Sequence, residues 1–453
     1  MVRKRTYEID MCNGSLMDKL ISFALPLMLS GILQLLFNAV DIVVVGRFSG
    51  SQALAAVGST TALINIFTNL FIGISLGANV LTARYYASGK KSEVSDTVHT
   101  AMMFAVLSGI VMLFVGILSA KISLELMGTP DDVIGRSTLY MRIYFLGMPF
   151  FMIYNYGAAI LRAIGDTKRP LIFLIFSGIV NACLNLLLVI VFHLDVAGVA
   201  IGTVASQFLS SILVLWCLIR SDADYCLRIS KLKIHPKYLL QILQIGIPAG
   251  IQSTVINFSN ALLQSSVNSF GSIAMAGYTA ANNLLGFIYM SVNAVTQACM
   301  SFTSQNYGAR KPKRMDHILL DCMVLSIGIA LALGSVMYFG GPKILAIYNK
   351  DPEVIHAGME VLSYTTLTYF LCGLMDLFPG ALRGMGRSGV PMLLSIIGTV
   401  GIRVLWIFAI FPAHRSVAVL FVSYPVSWIV TIFMQVICYY FVRKKVYGGL
   451  LKC

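Results

Sequence analysis

Between Phe48 and Ala83 the chain carries not one charged residue, and between Tyr238 and Ala309 it again carries none. In lipid every backbone N–H and C=O must be satisfied within the protein, so uncharged runs of this length point to membrane-spanning helices. The second run is long enough for two spans joined by a tight turn at N-S-F-G-S, residues 268–272. Composition agrees. The 453 residues are 58% hydrophobic and 11% charged, with a mean hydropathy of +0.83, where an ordinary soluble chain is about a quarter charged. The gaps between charges delimit twelve spans, near 20–46, 53–83, 97–119, 134–160, 170–192, 197–219, 239–268, 273–304, 316–340, 354–381, 391–411 and 416–442. The opening fifteen residues are polar and lack a small-residue cleavage site, so the first span is expected to be retained.

The net charge of +14 could suggest nucleic acid, but its distribution excludes that class. Of the 33 Lys and Arg residues, 25 fall at the N-terminus, at the C-terminus and in alternate loops, including Arg3, Lys4 and Arg5. The opposite loops hold only Arg47, Lys121, Lys343, Lys350 and Arg415. By the positive-inside rule this is a topology signal: a multi-pass protein of the cell's inner (plasma) membrane with both termini cytoplasmic. The nine cysteines show no C-x-x-C and sit mostly in apolar runs. They read as small hydrophobes, so neither a disulfide frame nor a metal site is expected.

The second half repeats the first. Pro26 and Asn38 recur as Pro248 and Asn260, 222 residues on. After a one-residue slip the offset is 221: A-L-A-A-V at 53–57 becomes A-M-A-G-Y at 274–278, and Tyr86 becomes Tyr307. L-R-A-I-G-D-T-K-R-P at 161–170 becomes L-R-G-M-G-R-S-G-V-P at 382–391. Six spans per half start both halves on the same side of the membrane. The expected fold is therefore an all-α polytopic protein of twelve transmembrane helices. They form two six-helix lobes, 1–219 and 239–453, related by a pseudo-two-fold axis along the membrane normal. Residues 220–238 are read as a cytoplasmic linker.

One residue of the first span does not belong in lipid. In Leu20 to Gly46 an aspartate, Asp41, is embedded; at a helix centre it costs roughly 2.5–3.5 kcal/mol and needs a partner, an ion or a proton. Gln34, Phe37 and Asn38 lie on its helical face. Such a polar stripe usually faces a cavity, although Asp41 is near enough to the span's end to reach the interface instead.

The N-A-V-D-I-V-V-V-G-R ending of that span, the two L-R-x-x-G-x-x-x-x-P loops and the 6+6 repeat together resemble the multidrug and toxic compound extrusion (MATE) transporters, over nearly the whole chain. The resemblance implies an antiporter that expels amphipathic, often cationic small molecules in exchange for inward Na⁺ or H⁺. It implies no cofactor beyond that coupling ion. In the DinF-type branch the cation site comprises an aspartate on the first helix, two polar residues four apart on the fifth and a threonine on the sixth. The matching residues are Asp41, Asn181, Asn185 and Thr203. Asn185 stands where some members of that branch carry a second aspartate, which leaves proton and Na⁺ coupling both open. The NorM-type branch places a glutamate on the seventh helix and an aspartate on the tenth. Asp376 matches the latter, but the seventh span has no acid, so Asp376 ranks second. Gln34, Phe37, Asn38, Tyr154, Asn155 and Ser177 are candidates for the substrate cavity.

Each of these residues has a plainer reading. Asn181, Asn185 and Thr203 could simply join helices by hydrogen bonds. Asp376 could form a structural ion pair, with Arg383 two turns along its helix or Arg403 in the next span. The cavity candidates could be lobe packing, and Gly31, Gly73, Gly77 and Gly178 serve close helix contact. Catalysis is disfavoured, since H-E-x-x-H, G-x-S-x-G and P-loop motifs are absent and the six histidines are scattered. A flippase for lipid-linked sugars or other lipids of the same superfamily is the nearest alternative, and usually has fourteen spans and a more cationic cavity. The partners expected are membrane lipid and small amphipathic substrates, with no nucleic acid, and the protein is expected to be a monomer.

Overall fold

The computed structural model describes residues 7–452 and is almost wholly helical. Arg3, Lys4 and Arg5, counted above for topology, lie outside the described residues, as does Cys453. In the first half run α1 (Met17–Phe48), α2 (Ser51–Ala87), α3 (Lys91–Leu126), α4 (Asp131–Leu146), α5 (Met148–Ala163), α6 (Lys168–Val191) and α7 (Asp195–Ile219). In the second half run α8 (Pro236–Asn268), α9 (Ser272–Gly308), α10 (Pro312–Phe339), the short α11 (Gly341–Tyr348), α12 (Pro352–Thr365), α13 (Tyr369–Gly384), α14 (Gly389–Ile410) and α15 (Val417–Lys452). Ten of these are individually long and apolar enough to cross a membrane, and two bent pairs complete the twelve spans. On α3, Phe114, Leu118 and Ile122 are exposed at four-residue spacing, an apolar stripe of the kind that faces lipid in a membrane-spanning helix.

The spans expected at 134–160 and 354–381 are each broken. α4 and α5 meet at 48°, α12 and α13 at 50°. The first break falls at Gly147 (φ −78°, ψ −10°) and the second ends at Thr368 (φ −94°, ψ −3°), 221 residues apart, which is the repeat offset. The same bend is made by different means. In the first half Pro149 has no N–H to give Phe145, and its ring would clash with that carbonyl. In the second half no proline lies at the break, residues 366–368. Instead Thr365, Thr366 and Thr368 turn their hydroxyls back onto the carbonyls of Val361, Leu362 and Tyr364, at 2.7, 2.6 and 2.9 Å, a bonding pattern that bends helices. Pro26 and Pro248, by contrast, lie inside continuous helices.

The chain forms two compact units. One gathers Ile32–Gly250 with the described residues before Asp10; the other gathers Asp10–Gly31 with the chain from Ile251 onward. The dividing points thus fall inside α1 and α8. In the first unit Leu81, Met102, Phe145 and Tyr156 are core residues. There α2 and α8 cross through two pairs of glycines four residues apart, Gly73 with Gly77 and Gly246 with Gly250. A Cβ on any of the four would run into backbone atoms of the other helix. Small residues at this spacing are the usual means of close helix approach in membranes. In the second unit Leu263, Tyr278, Leu362 and Phe421 form the main core, and Trp428 is buried with Cys372 and Met375.

The segment after α7 is tied to the first unit. Tyr225 and Leu227 are buried, and the Tyr225 hydroxyl donates to Glu8 Oε1 at 2.7 Å. The Arg228 N–H donates to Nε2 of buried His99 (3.0 Å), and the His235 N–H donates to Thr100 Oγ1 (3.2 Å).

Candidate functional site

Asp41 sits two turns before the end of α1, in the first unit. Its carboxylate meets α6, where Asn181 and Asn185, four residues apart, share one face. Asn185 Nδ2 donates to Asp41 Oδ1 at 2.5 Å. The Asn181 amide reaches the same oxygen at 3.0 Å when its nitrogen faces it, and its oxygen then accepts the Thr203 backbone N–H at 3.3 Å. In the opposite orientation Asn181 Nδ2 donates to Thr203 Oγ1 at 3.4 Å. Either way Asp41, Asn181, Asn185 and Thr203 are one cluster.

Small residues let the three helices come this close. Gly178, one turn before Asn181, faces Phe37, one turn before Asp41; a Cβ at 178 would overlap the Phe37 ring. Gly202, beside Thr203 on α7, faces Asn185 Oδ1, and a Cβ there would overlap that oxygen. Just beyond Asn185, α6 widens into a π-turn at Leu187–Val191, a local distortion frequent at functional sites. Asn181 and Asn185 are buried, and Asn185 Oδ1 has no hydrogen-bond partner. The cluster thus holds one carboxylate, two amides and a hydroxyl. Such hard oxygen donors suit a small cation, and the carboxylate alone suits a proton.

Sequence reasoning passed over Tyr140 and Tyr144 of α4. They stack on one another (6.3 Å between ring centroids, 29° between planes) within electrostatic reach of Asp41. Their i, i+4 spacing in Y-M-R-I-Y was the available signal.

The other predicted residues divide. Gln34 and Asn38 are exposed. Phe37 packs on Gly178. Tyr154, Asn155 and Ser177 donate to backbone carbonyls: the Tyr154 hydroxyl to Pro170 O (3.2 Å), Asn155 Nδ2 to Phe151 O (2.8 Å) and the Ser177 hydroxyl to Leu174 O (3.1 Å).

Asp376 lies on α13 in the second unit, within electrostatic reach of Tyr289, Tyr369 and Cys372. Arg383 acts on it through space, but no ion pair within 4.0 Å joins the two. Arg383 instead donates to Gln252 Oε1 at 2.6 Å. Arg403, buried, donates to Asn260 Oδ1 (2.9 Å) and Ser427 Oγ (3.2 Å) and lies 4.2 Å from the Tyr424 ring centroid. The ion pair considered for Asp376 is thus not formed with either arginine.

Known proteins of the same build bear on this geometry. The MatE family model matches residues 26–187 and 248–408. The two matched stretches begin 222 residues apart and end 221 apart, the offset of the internal repeat. A probable multidrug resistance protein of Bacillus subtilis (strain 168), YoeA, is 30% identical over 435 residues, covering 93% of each chain. The multidrug export protein MepA of Staphylococcus aureus (strain MSSA476) is 22% identical over 390 residues, covering 86% of each. Among solved structures, a MATE protein in complex with MaL6 superposes with a TM-score of 0.91 at 18% identity, over 99% of this chain and 100% of the other. A MOP superfamily transporter from Pyrococcus furiosus Vc1 (DSM3638) gives a TM-score of 0.91 at 18% identity, over 98% and 99%.

Proposed function

This chain belongs to the MatE family of MATE transporters, and from that premise we propose that it exports amphipathic, often cationic compounds in exchange for H⁺ or Na⁺. The observation that carries the reading is the cluster of Asp41 with Asn181, Asn185 and Thr203 on three membrane-spanning helices. An aspartate at this depth requires compensation. Asn185, and Asn181 in one amide orientation, donate to it, and Asn185 Oδ1 is left without a partner.

Asp41 is the coupling group. Ionised, it holds Asn185 through a charge-assisted hydrogen bond, the stronger kind, and attracts a cationic substrate. A proton on the carboxylate, or Na⁺ received by carboxylate and amide oxygens, cancels that attraction and loosens the ties between α1, α6 and α7. The ion biases alternating access only by the difference of its affinities for the two states. If ion and substrate compete for one carboxylate, each weakens the other's equilibrium binding by the same factor. The named curated relatives, a probable multidrug resistance protein and a multidrug export protein, support drug-like substrates. The charge distribution supports a plasma-membrane protein with both termini cytoplasmic.

The test is export from proteoliposomes with Na⁺ and pH gradients imposed separately. One gradient should drive accumulation of a cationic dye against its concentration, and the other should not. Equal transport under both gradients and under neither would remove the antiport reading.

A further inference from the structure

We propose that the outer face of the second unit carries a binding site for an anionic phospholipid, with one acyl chain laid between α14 and α15 and the phosphate held by Arg387, Lys444 and Lys445. A groove of about 380 Å³ opens between the start of α14 and the later turns of α15, lined by Val390, Leu394, Met434, Ile437, Cys438 and Phe441. Among the residues that line it the two helices are pinned together: Gln435 Nε2 donates to Pro391 O (2.8 Å) and Ser395 Oγ (3.0 Å). The groove is open to the surface, and a Cβ at Gly389 would meet nothing within 4 Å.

What the groove takes is set by its walls and its mouth. Its lining is wholly apolar, and Val390, Ile437 and Phe441 are exposed, so hydrocarbon fits it. From Met434 to Phe441 it runs about 10 Å at 1.5 Å per residue, the upper part of one acyl chain. The lining residues at 434, 437, 438 and 441 repeat at helical spacing, and the same stripe continues into Lys444 and Lys445, three and four residues past Phe441. On the facing helix, Arg387 precedes Val390 by three residues. All three cations are exposed, and among the described residues none forms an ion pair. Their neighbour Arg443 shows the contrast, turned to Asp316 in a 2.6 Å pair that is already satisfied. Three unpaired cations at the end of an apolar groove complement a phosphate on a diacyl chain. A zwitterionic headgroup brings its own cation to the same place and gains less.

The site is tested on the full-length protein, purified in detergent, stripped of lipid and examined by native mass spectrometry. Phosphatidylglycerol and phosphatidylcholine with identical acyl chains are added in turn. Each basic side chain near a membrane surface is worth roughly fivefold in anionic-lipid retention. Phosphatidylglycerol should therefore be retained at least tenfold over phosphatidylcholine. The R387Q/K444Q/K445Q variant should bring that ratio close to one. Val390→Trp, which fills the groove at an exposed position and leaves the charges in place, should also lower phosphatidylglycerol retention severalfold. Millimolar inorganic phosphate should not displace the lipid. Equal retention of the two lipids by the unaltered protein would overturn the proposal, as would an unchanged ratio in the triple variant. Displacement by phosphate with no effect of Val390→Trp would overturn the acyl-chain groove and leave only an anion site.

Discussion

The glycine crossing of α2 and α8 offers a perturbation whose size follows from the geometry. At Gly77 an added Cβ would overlap the Ile242 carbonyl oxygen and lie 3.1 Å from the Gly246 nitrogen. Neither atom is the end of a flexible side chain, so the helices themselves must part. A gap of 0.5–1 Å forfeits about a quarter to a half of each lost van der Waals contact, and overpacking of this kind costs about 1–3 kcal/mol. Alanine returns about 0.5–1 kcal/mol as a better helix former than glycine. Gly77→Ala should therefore destabilise by about 1–2 kcal/mol, a fall of roughly a few degrees in Tm. Gly73→Ala meets the Gly250 backbone in the same way. Because one separation relieves both overlaps, the double variant should lose less than the sum of the singles. Gly328→Ala on α10, whose Cβ would meet nothing within 4 Å, is the control and should be neutral or mildly stabilising. Thermal unfolding in detergent, followed by size-exclusion of the fluorescently tagged protein, measures all four. If Gly77→Ala were as stable as Gly328→Ala, or the double variant strictly additive, the crossing would not be the tight contact described.

Three further outcomes follow. Arg403→Ala leaves Asn260 and Ser427 without their donor and Tyr424 without its cation; it should cost about 2–4 kcal/mol in the same unfolding assay, hydrogen bonds to charged groups being worth about 1.5–3 kcal/mol. Burial pushes the Tyr225 phenol up to about 12, above its ordinary value of about 10. The anchor it makes with Glu8 is accordingly whole below pH ~10 and lost as pH rises through ~12. Protease protection of the segment after α7 should fall across that window, and Tyr225→Phe should abolish the dependence. Asp376→Asn should leave gradient-driven export intact in proteoliposomes, and its loss at normal expression would move the coupling to α13.

Much of the fold was legible because the signals are long. Long apolar runs with few charges mark all twelve spans, and Pro26 with Pro248 and the two L-R-x-x-G loops mark the repeat. The bends were not legible, because their causes are local. Pro149 could as well have begun a helix, and the threonines at 365, 366 and 368 bend α12–α13 only through where their hydroxyls turn. The Asp41 cluster was reached through i, i+4 spacing on α6 and through family resemblance. Composition could not show that Gly178 and Gly202 are what admit Phe37 and Asn185. Nor could it show that Asn155 and Ser177 bond their own helices, since an amide or hydroxyl in an apolar run looks the same in either role. Arg403 looked like a counter-ion for Asp376, and only the fold shows Asn260 and Ser427 taking its hydrogen bonds.

The most direct test of the account is Asp41→Asn in proteoliposomes, with cationic-dye export measured under imposed pH and Na⁺ gradients. Asparagine keeps the shape of the side chain and an oxygen for Asn185, but removes the charge and the site of protonation. The variant should be folded at normal expression and bind the dye more weakly, with export no longer answering to either gradient. Gradient-driven export retained in that variant would contradict the account.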